Sequence, residues 1–272
     1  MACSAEQYEF ADYEQLLPRG AISAITEPEY VSAAEAEIDD DTYVLGVVIG
    51  GEARAYSLNI LNTHTGVVYD RNYNGKQLTF EASGGLINAS LVMQDRETDS
   101  YWAIMRGESL EGEMKGQALQ EIAQNRKMTW GEWREKYPHT LVLSVDGHED
   151  SEEAYDNYFQ SSEGFRGATA SDVRLPTKAP IFAFRLDGAS YAVAHDTVVN
   201  GKLFQLASES VFLHRGPNDG LHDSTQAFSS TVTGCEFDVE QDSGGDCAKP
   251  LLGFDTYWYN WSLNNPDTVL LE

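Results

Sequence analysis

Trp130-Gly-Glu-Trp133-Arg-Glu-Lys-Tyr-Pro138-His-Thr140-Leu-Val-Leu143 returns near the end of the chain as Trp258-Tyr-Asn-Trp261-Ser-Leu-Asn-Asn-Pro266-Asp-Thr268-Val-Leu-Leu271. Both Trp, the Pro, the Thr and the closing apolar run keep register without a gap, which marks an internal repeat. Each copy reads as a short helix with Trp at i and i+3 on one face, ended before Pro and followed by an apolar strand. In the first copy Thr129 and Glu132 have the spacing of a capping box. The Trp pairs read as core anchors.

Working outward, each copy has a matching start. Val44-Leu-Gly-Val-Val-Ile-Gly-Gly51-Glu-Ala-Arg-Ala-Tyr56-Ser-Leu58 is a strand, a Gly-Gly turn and a second strand, and Ile181 to Val193 repeats the design around Asp187-Gly188. Asn74-Gly75 and Asn200-Gly201 signal further hairpins, and Asp95 to Trp102 pairs with Ser230 to Phe237 as a looser match. The class is therefore mainly β, or α+β, with two repeated β-rich units and short helices packed into one compact body. The boundaries fall at an N-terminal arm (1–41) with helical pieces such as Ser32 to Glu37, unit one (42–146), a connecting segment (147–178) and unit two (179–272).

Charge narrows the partners. Forty-four acids against eighteen bases give a net charge of −26, and only seven of the bases are Lys. Such a field repels phosphate backbones, so nucleic acid is not expected as a partner. An acidic, Lys-poor surface also suits high salt, where self-repulsion is screened. No run of residues has the apolar length of a membrane span, and the start carries no basic or apolar leader. The expected partner is a protein or a second copy of the chain. Cys235 and Cys247 bracket an acidic loop and are candidates for a disulfide, with free buried thiols as the other reading. Cys3 is left over, at a place where a lipoprotein carries its lipid.

Several stretches together resemble the domain of unknown function 3179 family. They are Leu16-Leu-Pro-Arg-Gly-Ala-Ile-Ser-Ala-Ile-Thr-Glu-Pro-Glu-Tyr-Val-Ser-Ala-Ala-Glu-Ala36, Gly51-Glu-Ala-Arg-Ala-Tyr56 with Ile60-Leu-Asn62, Leu78-Thr-Phe80 with Ser83-Gly84, Asn88 to Thr98, Gly107-Glu108 and the closing Trp-Pro-Asp-Thr pattern. The resemblance implies a bacterial or archaeal chain, secreted or lipid-anchored, with relatives in salt-loving organisms, and it supplies no reaction. One departure stands out. The family continues after Ile-Leu-Asn with Trp-His-Glu-Ile-Val-Asn-Asp and a strand ending in Tyr-Cys-Pro-Leu. Here Asn62 runs through Thr63-His64-Thr65-Gly66 into Val67, so that roughly twenty residues, one strand-loop-strand, are missing. The family's Cys has no counterpart.

Candidate chemistry is sparse. Asp242-Ser243-Gly244-Gly245-Asp246 with Ala194-His195 imitates a chymotrypsin-like protease, but the stretch from His195 to Ser243 is too short to build the two barrels of that triad. His214, Asp219, His222 and Asp223 fall in one short stretch and are the candidate ligands for a divalent metal. Asp238, Asp242 and Asp246 offer oxygens without the pattern of a dedicated calcium loop. His64 and Asp95, both in family-matching segments, form a candidate acid–base pair, against the plainer reading in which Asp95 caps a turn with Thr98. Asn88-Ala-Ser90 and Asn260-Trp-Ser262 fit glycan acceptors, but Asn260 lies inside a core-like helix, where chance is the better explanation.

Two functions remain. One is a non-catalytic extracytoplasmic protein for binding or assembly, on a duplicated scaffold that lost its Cys segment. The other is a metal-dependent enzyme or metal binder with a site between the repeats, using His64, His214 or His222. The lost segment and the absence of a strict motif lean away from an enzyme. The alternative location is the cytoplasm of a salt-adapted organism.

Overall fold

Each Trp-bearing helix joins two strands of one sheet. In the computed structural model, which describes residues 10–64, 72–73, 76–120, 125–148, 151, 155–239 and 245–272, unit one contributes β1 (Tyr43–Ile49), β2 (Glu52–Ser57), β3 (Asn125–Thr129), α1 (Trp130–Lys136) and β4 (Leu141–Leu143). Unit two contributes β5 (Pro180–Leu186), β6 (Ala189–Ala194), β7 (Gly253–Tyr257), α2 (Trp258–Asn264) and β8 (Val269–Leu271). The strand orders are β3-β1-β2-β4 and β7-β5-β6-β8, antiparallel except for the last pair.

The registers coincide residue by residue. Thr129 faces Tyr43 and Leu141 faces Arg54; Tyr257 faces Pro180 and Val269 faces Tyr191. The shift that takes Val44 to Ile181 carries one hairpin onto the other, and the shift that takes Trp130 to Trp258 carries the final strand-helix-strand. Positive φ at Gly50 and Gly51, and at Asp187 and Gly188, gives the twisted two-residue turns that the sequence announced.

The repeated motif is legible in the core. Trp130, Trp133, Trp258 and Trp261 are at most 2 % exposed, and burying each contributes roughly 5 kcal/mol of apolar transfer. Trp133 donates its indole N–H to Thr140 Oγ1 at 3.0 Å, and Trp261 donates to Thr268 Oγ1 at 2.9 Å. The shared Thr is therefore the indole's partner. Thr129 and Glu132 form the expected capping box.

Between hairpin and Trp helix, each unit inserts a second sheet. In unit one Phe80–Ile87, Ser90–Asp95, Tyr101–Ala103 and Glu108–Glu111 pair in sequence, with Glu14–Gln15 added at the edge. In unit two Lys202–Gln205, Ser210–His214, Gln226–Ser230 and Lys249–Pro250 do the same. Two local expectations change. Ser32 to Glu37 is a turn following the edge strand Tyr30–Ser32, because Glu35 accepts from Ser32 N and Oγ and closes the chain after that strand. Asn200 and Gly201 adopt left-handed φ but lead out of a 3-10 turn into Lys202–Gln205; the hairpin itself turns at residues 206–209. Asn74-Gly75 lies outside the described residues, flanked by the pair Asn72–Tyr73 and Lys76–Gln77.

The connecting segment is pinned to unit two. Trp258 Nε1 donates to the Asp172 carbonyl at 2.7 Å, Tyr158 and Tyr259 share a hydroxyl hydrogen bond of 2.9 Å, and Lys178 Nζ sits 4.0 Å over the Tyr158 ring. No helix among the described residues is long and apolar enough to cross a membrane. Cys235 and Cys247 are disulfide-bonded and close the excursion between Gln226–Ser230 and Lys249–Pro250.

Candidate functional site: the joint between the two units

β3 ends the sheet of unit one, and its free edge is met by unit two. Ser224 N donates to the Lys127 carbonyl, and Lys127 N donates to Ser224 Oγ, both at 2.9 Å. Strand alternation then puts Lys127 on one face of β3 and Arg126 with Met128 on the other. The two faces form two different sites.

On the Lys127 face lies a buried polar cluster. Arg215, 3 % exposed, organises the loop 215–225: its Nη1 donates to the Asp223 carbonyl (2.7 Å) and Thr225 Oγ1 (3.1 Å), and its Nη2 to the Gly220 carbonyl (2.7 Å). Asp255 of β7 accepts from Thr225 N (2.9 Å), Thr225 Oγ1 (2.6 Å) and Arg215 Nη1 (3.4 Å), and sits 2.9 Å from His195 Nε2. Burial alone would raise the Asp255 carboxyl, but the His195 hydrogen bond and the Lys127 charge hold it below the usual range. Burial pushes the Lys127 ammonium down, opposed by Asp255. That ammonium makes no hydrogen bond or ion pair among the described residues. The oxygens of Asp255 are thus occupied by donors of unit two, and what reaches it across the joint is the charge of Lys127.

The sequence candidates for a metal site fall near this cluster but not at one point. Asp219 accepts from Gly216 N at 2.7 Å. Asp223 accepts from Gly220 N and from Tyr43 Oη, the latter at 3.1 Å, and so ties β1 to the loop. Burial raises Asp223, and burial with the neighbouring Asp223 carboxylate pushes the Tyr43 phenol up to about 12. His222 packs edge-on between Tyr43 and Phe159, at ring separations of 5.5 and 5.0 Å, and burial and then Lys127 hold its imidazole below the ordinary value. His214 pairs through Nδ1 with Gln226 Oε1 at 2.9 Å. Among the described residues no three His, Cys, Asp or Glu side chains are placed to share a metal ion.

His64 and Asp95 also have separate partners. His64 Nδ1 lies 3.1 Å from Ser23 Oγ and its ring meets His148 edge-on. Asp95, fully buried, accepts from Thr98 N (2.6 Å), Thr98 Oγ1 (2.8 Å) and Trp102 Nε1 (2.8 Å), the turn-capping arrangement. Asn260 accepts from Ser90 Oγ at a packed interface, which rules out Asn260 as a glycan acceptor, whereas Asn88 is exposed at its turn. Cys3 and Asp242 lie outside the described residues.

On the Arg126 face a cleft of about 310 Å³ opens between β3 with α1 and the strands Gln226–Ser230 and Lys249–Pro250. The corresponding place at α2 is filled. There Asn264 Nδ2 donates to Asn88 O (3.2 Å) and Ser90 Oγ (2.8 Å), Asn260 bonds Ser90, and Met105 of unit one enters the core beside Trp258 and Trp261. The second sheet of unit one is thus seated on the Trp helix of unit two, while the reciprocal joint leaves room. Sequence reading missed Lys127, Arg215 and Asp255, and met His195 only as a false triad member. One signal was available: the shift that takes Trp130 to Trp258 aligns Lys127 with Asp255, opposite charges just ahead of the two Trp helices.

The family described as Protein of unknown function (DUF3179) matches residues 19–67 and 63–268, dividing where the sequence places the missing segment. No curated protein and no solved structure matches. With matched segments covering nearly the whole chain, this protein belongs to the DUF3179 family.

Proposed function

We propose that the chain is a non-catalytic, extracytoplasmic binding protein that takes its ligand in the cleft between the two units. The observation that carries this reading is the asymmetry of the joints: equivalent surfaces are filled at α2 and leave about 310 Å³ at α1. That volume lies at the small end of ligand sites. Arg215, Asp255, His195 and Thr225 of the buried cluster are engaged with one another, which favours a scaffold over a reacting centre. The Cys235–Cys247 bond supports an oxidising compartment.

The test is a fragment panel followed by thermal shift and by amide chemical shifts, on the wild type and on Asn125→Trp, which places an indole at the cleft. At least one fragment class is expected to raise Tm and to perturb β3 and Gln226–Ser230, with the effect lost in the variant. Perturbations gathered elsewhere, or none, would sink the reading.

A further inference from the structure

We propose that the free edge of β8 joins two copies of this chain, β8 to β8, in an antiparallel ladder around a twofold axis. The proposal stands apart from the cleft. Its ground is the repeat, which extends ahead of the hairpins in both units. Gly131 N and Trp130 N donate to the Asp40 and Thr42 carbonyls, and Tyr259 N and Trp258 N donate to those of Thr177 and Ala179. The acceptors are related by the shift that takes Val44 to Ile181. So are Ala33 and Ala170, each packed in the cluster of its own unit's Trp pair.

Ahead of these alanines the two units part. Tyr30–Ser32 runs antiparallel along β4 and closes the sheet of unit one, with Val31 facing Val142. The same shift places Gly167, Ala168 and Thr169 there in unit two. Left-handed φ at Arg166 and Gly167, and a bond from Gly164 N to the Ala168 carbonyl, fold that stretch on itself instead. Among the described residues β8 therefore pairs with β6 alone. An edge that the fold covers in one unit is open in the other.

The groups on that edge follow from strand alternation. Ser144 N donates to the Glu29 carbonyl, so Val142 and Ser144 turn their backbone groups to the covering strand. The shift that takes Trp130 to Trp258 makes Leu270 the counterpart of Val142. Arg174 Nη2 reaches the Thr268 carbonyl on the same side, at 2.8 Å. The N–H and C=O of Leu270 thus point off the sheet, with no strand among the described residues to take them. Val269 beside them is 46 % exposed, and no Lys or Pro within Val269–Leu271 blunts the edge.

Symmetry and charge name the occupant. A twofold axis perpendicular to the sheet sets equal edges antiparallel, the sense in which Tyr30–Ser32 covers β4. Centred on Leu270, it lets the two Leu270 residues exchange N–H and C=O and puts Val269 opposite Leu271 of the second copy. Glu272 of each copy then falls opposite Thr268 of the other, where Arg174 holds the carbonyl. Acid meets base at both ends of the ladder. The ladder is short and each chain carries a net charge of −26, so the pair is weak and forms best where salt screens that repulsion.

The experiment is light scattering on the full chain at about 1 mM, in dilute salt and in roughly 2 M KCl, with NOEs read between isotope-labelled and unlabelled copies. The expected result is a dimer in high salt that weakens in dilute salt, with methyl contacts between Val269 of one copy and Leu271 of the other. Glu272→Arg should weaken the dimer about fivefold by setting like charges together at both ends. Adding Arg174→Glu should restore it, which separates the interface from lost folding. A chain that stays monomeric in both salts overturns the proposal. So does a dimer whose intermolecular contacts lie elsewhere, or a Glu272→Arg dimer as tight as the wild type. An extended peptide binding at β8 of a monomeric chain would assign the edge to a foreign strand and overturn it as well.

Discussion

Lys127 and Asp255 hold the same position in the two units, each just ahead of its Trp helix, and they attract one another across the joint. Lys127 faces Leu45 in its sheet and Asp255 faces Phe182, positions related by the shift that takes Val44 to Ile181. Duplication supplied two equivalent strands, and opposite charges at one position set up an electrostatic attraction between them.

That relationship fixes a pH dependence. The Asp255 carboxyl is held below its unfolded value, so the stability it contributes is present above the ordinary Asp range and is lost as pH falls through the folded value. Lys127 has the opposite character: its ammonium is depressed by burial, so the unfolded chain binds that proton more strongly, and stability rises with pH across the window below the free Lys value. Asp255→Asn leaves Arg215 buried without its counter-charge and should cost about 3 kcal/mol or more, read from urea unfolding at neutral pH, with a shallower acid limb. An unaltered acid limb would remove Asp255 from the account.

Lys127→Met should move the titration of the His222 ring upward, because the nearby cation adds to burial in holding that imidazole low. Ring-proton NMR across neutral pH reads this directly. A His222 titration that stays in place would show that the two groups do not interact.

Thr140→Val and Thr268→Val remove the acceptors of two buried indole N–H groups in matching places. Each should destabilise by about 1–3 kcal/mol. The comparison is internal: both variants are measured by denaturant midpoint at constant slope, and a neutral effect in either would mean that its indole finds another partner.

Gly46 and Ala183 are equivalent under the hairpin shift, but a Cβ on Gly46 would lie 2.3 Å from the Trp133 ring. Gly46→Ala, ordinarily favourable in a strand, should cost about 1–3 kcal/mol here through overpacking. Ala183 already carries its Cβ in the Trp261 cluster, so Ala183→Gly loosens rather than clashes. A stabilised Gly46→Ala would contradict the packing.

Reduction of Cys235–Cys247, or replacement of both by Ser, should lower stability by about 3 kcal/mol, the loop-closure contribution of a ring of this size. Thermal unfolding with and without reductant measures it, and the double Ser variant should be insensitive to reductant.

What the sequence by itself determined is the local and repeated part of the molecule. The Trp-x-x-Trp helices, the stop before Pro138 and Pro266, the capping box of Thr129 and Glu132 and the turns at Gly50-Gly51 and Asp187-Gly188 are fixed by contacts within a few residues. Sterics and short-range hydrogen bonds make such features readable along the chain. Asp95 also belongs here, as a turn cap. The joint was decided only by the tertiary structure. Ser224 reaches Lys127, and Asn264 reaches Ser90, from far along the chain. No periodicity records which edge a loop will meet, because that choice is made by packing two sheets whose apolar faces allow several neighbours. For the same reason His214, Asp219, His222 and Asp223, close in sequence, are turned by the Arg215-centred loop toward different partners, whereas Arg126 and Phe228, far apart in sequence, line one cleft.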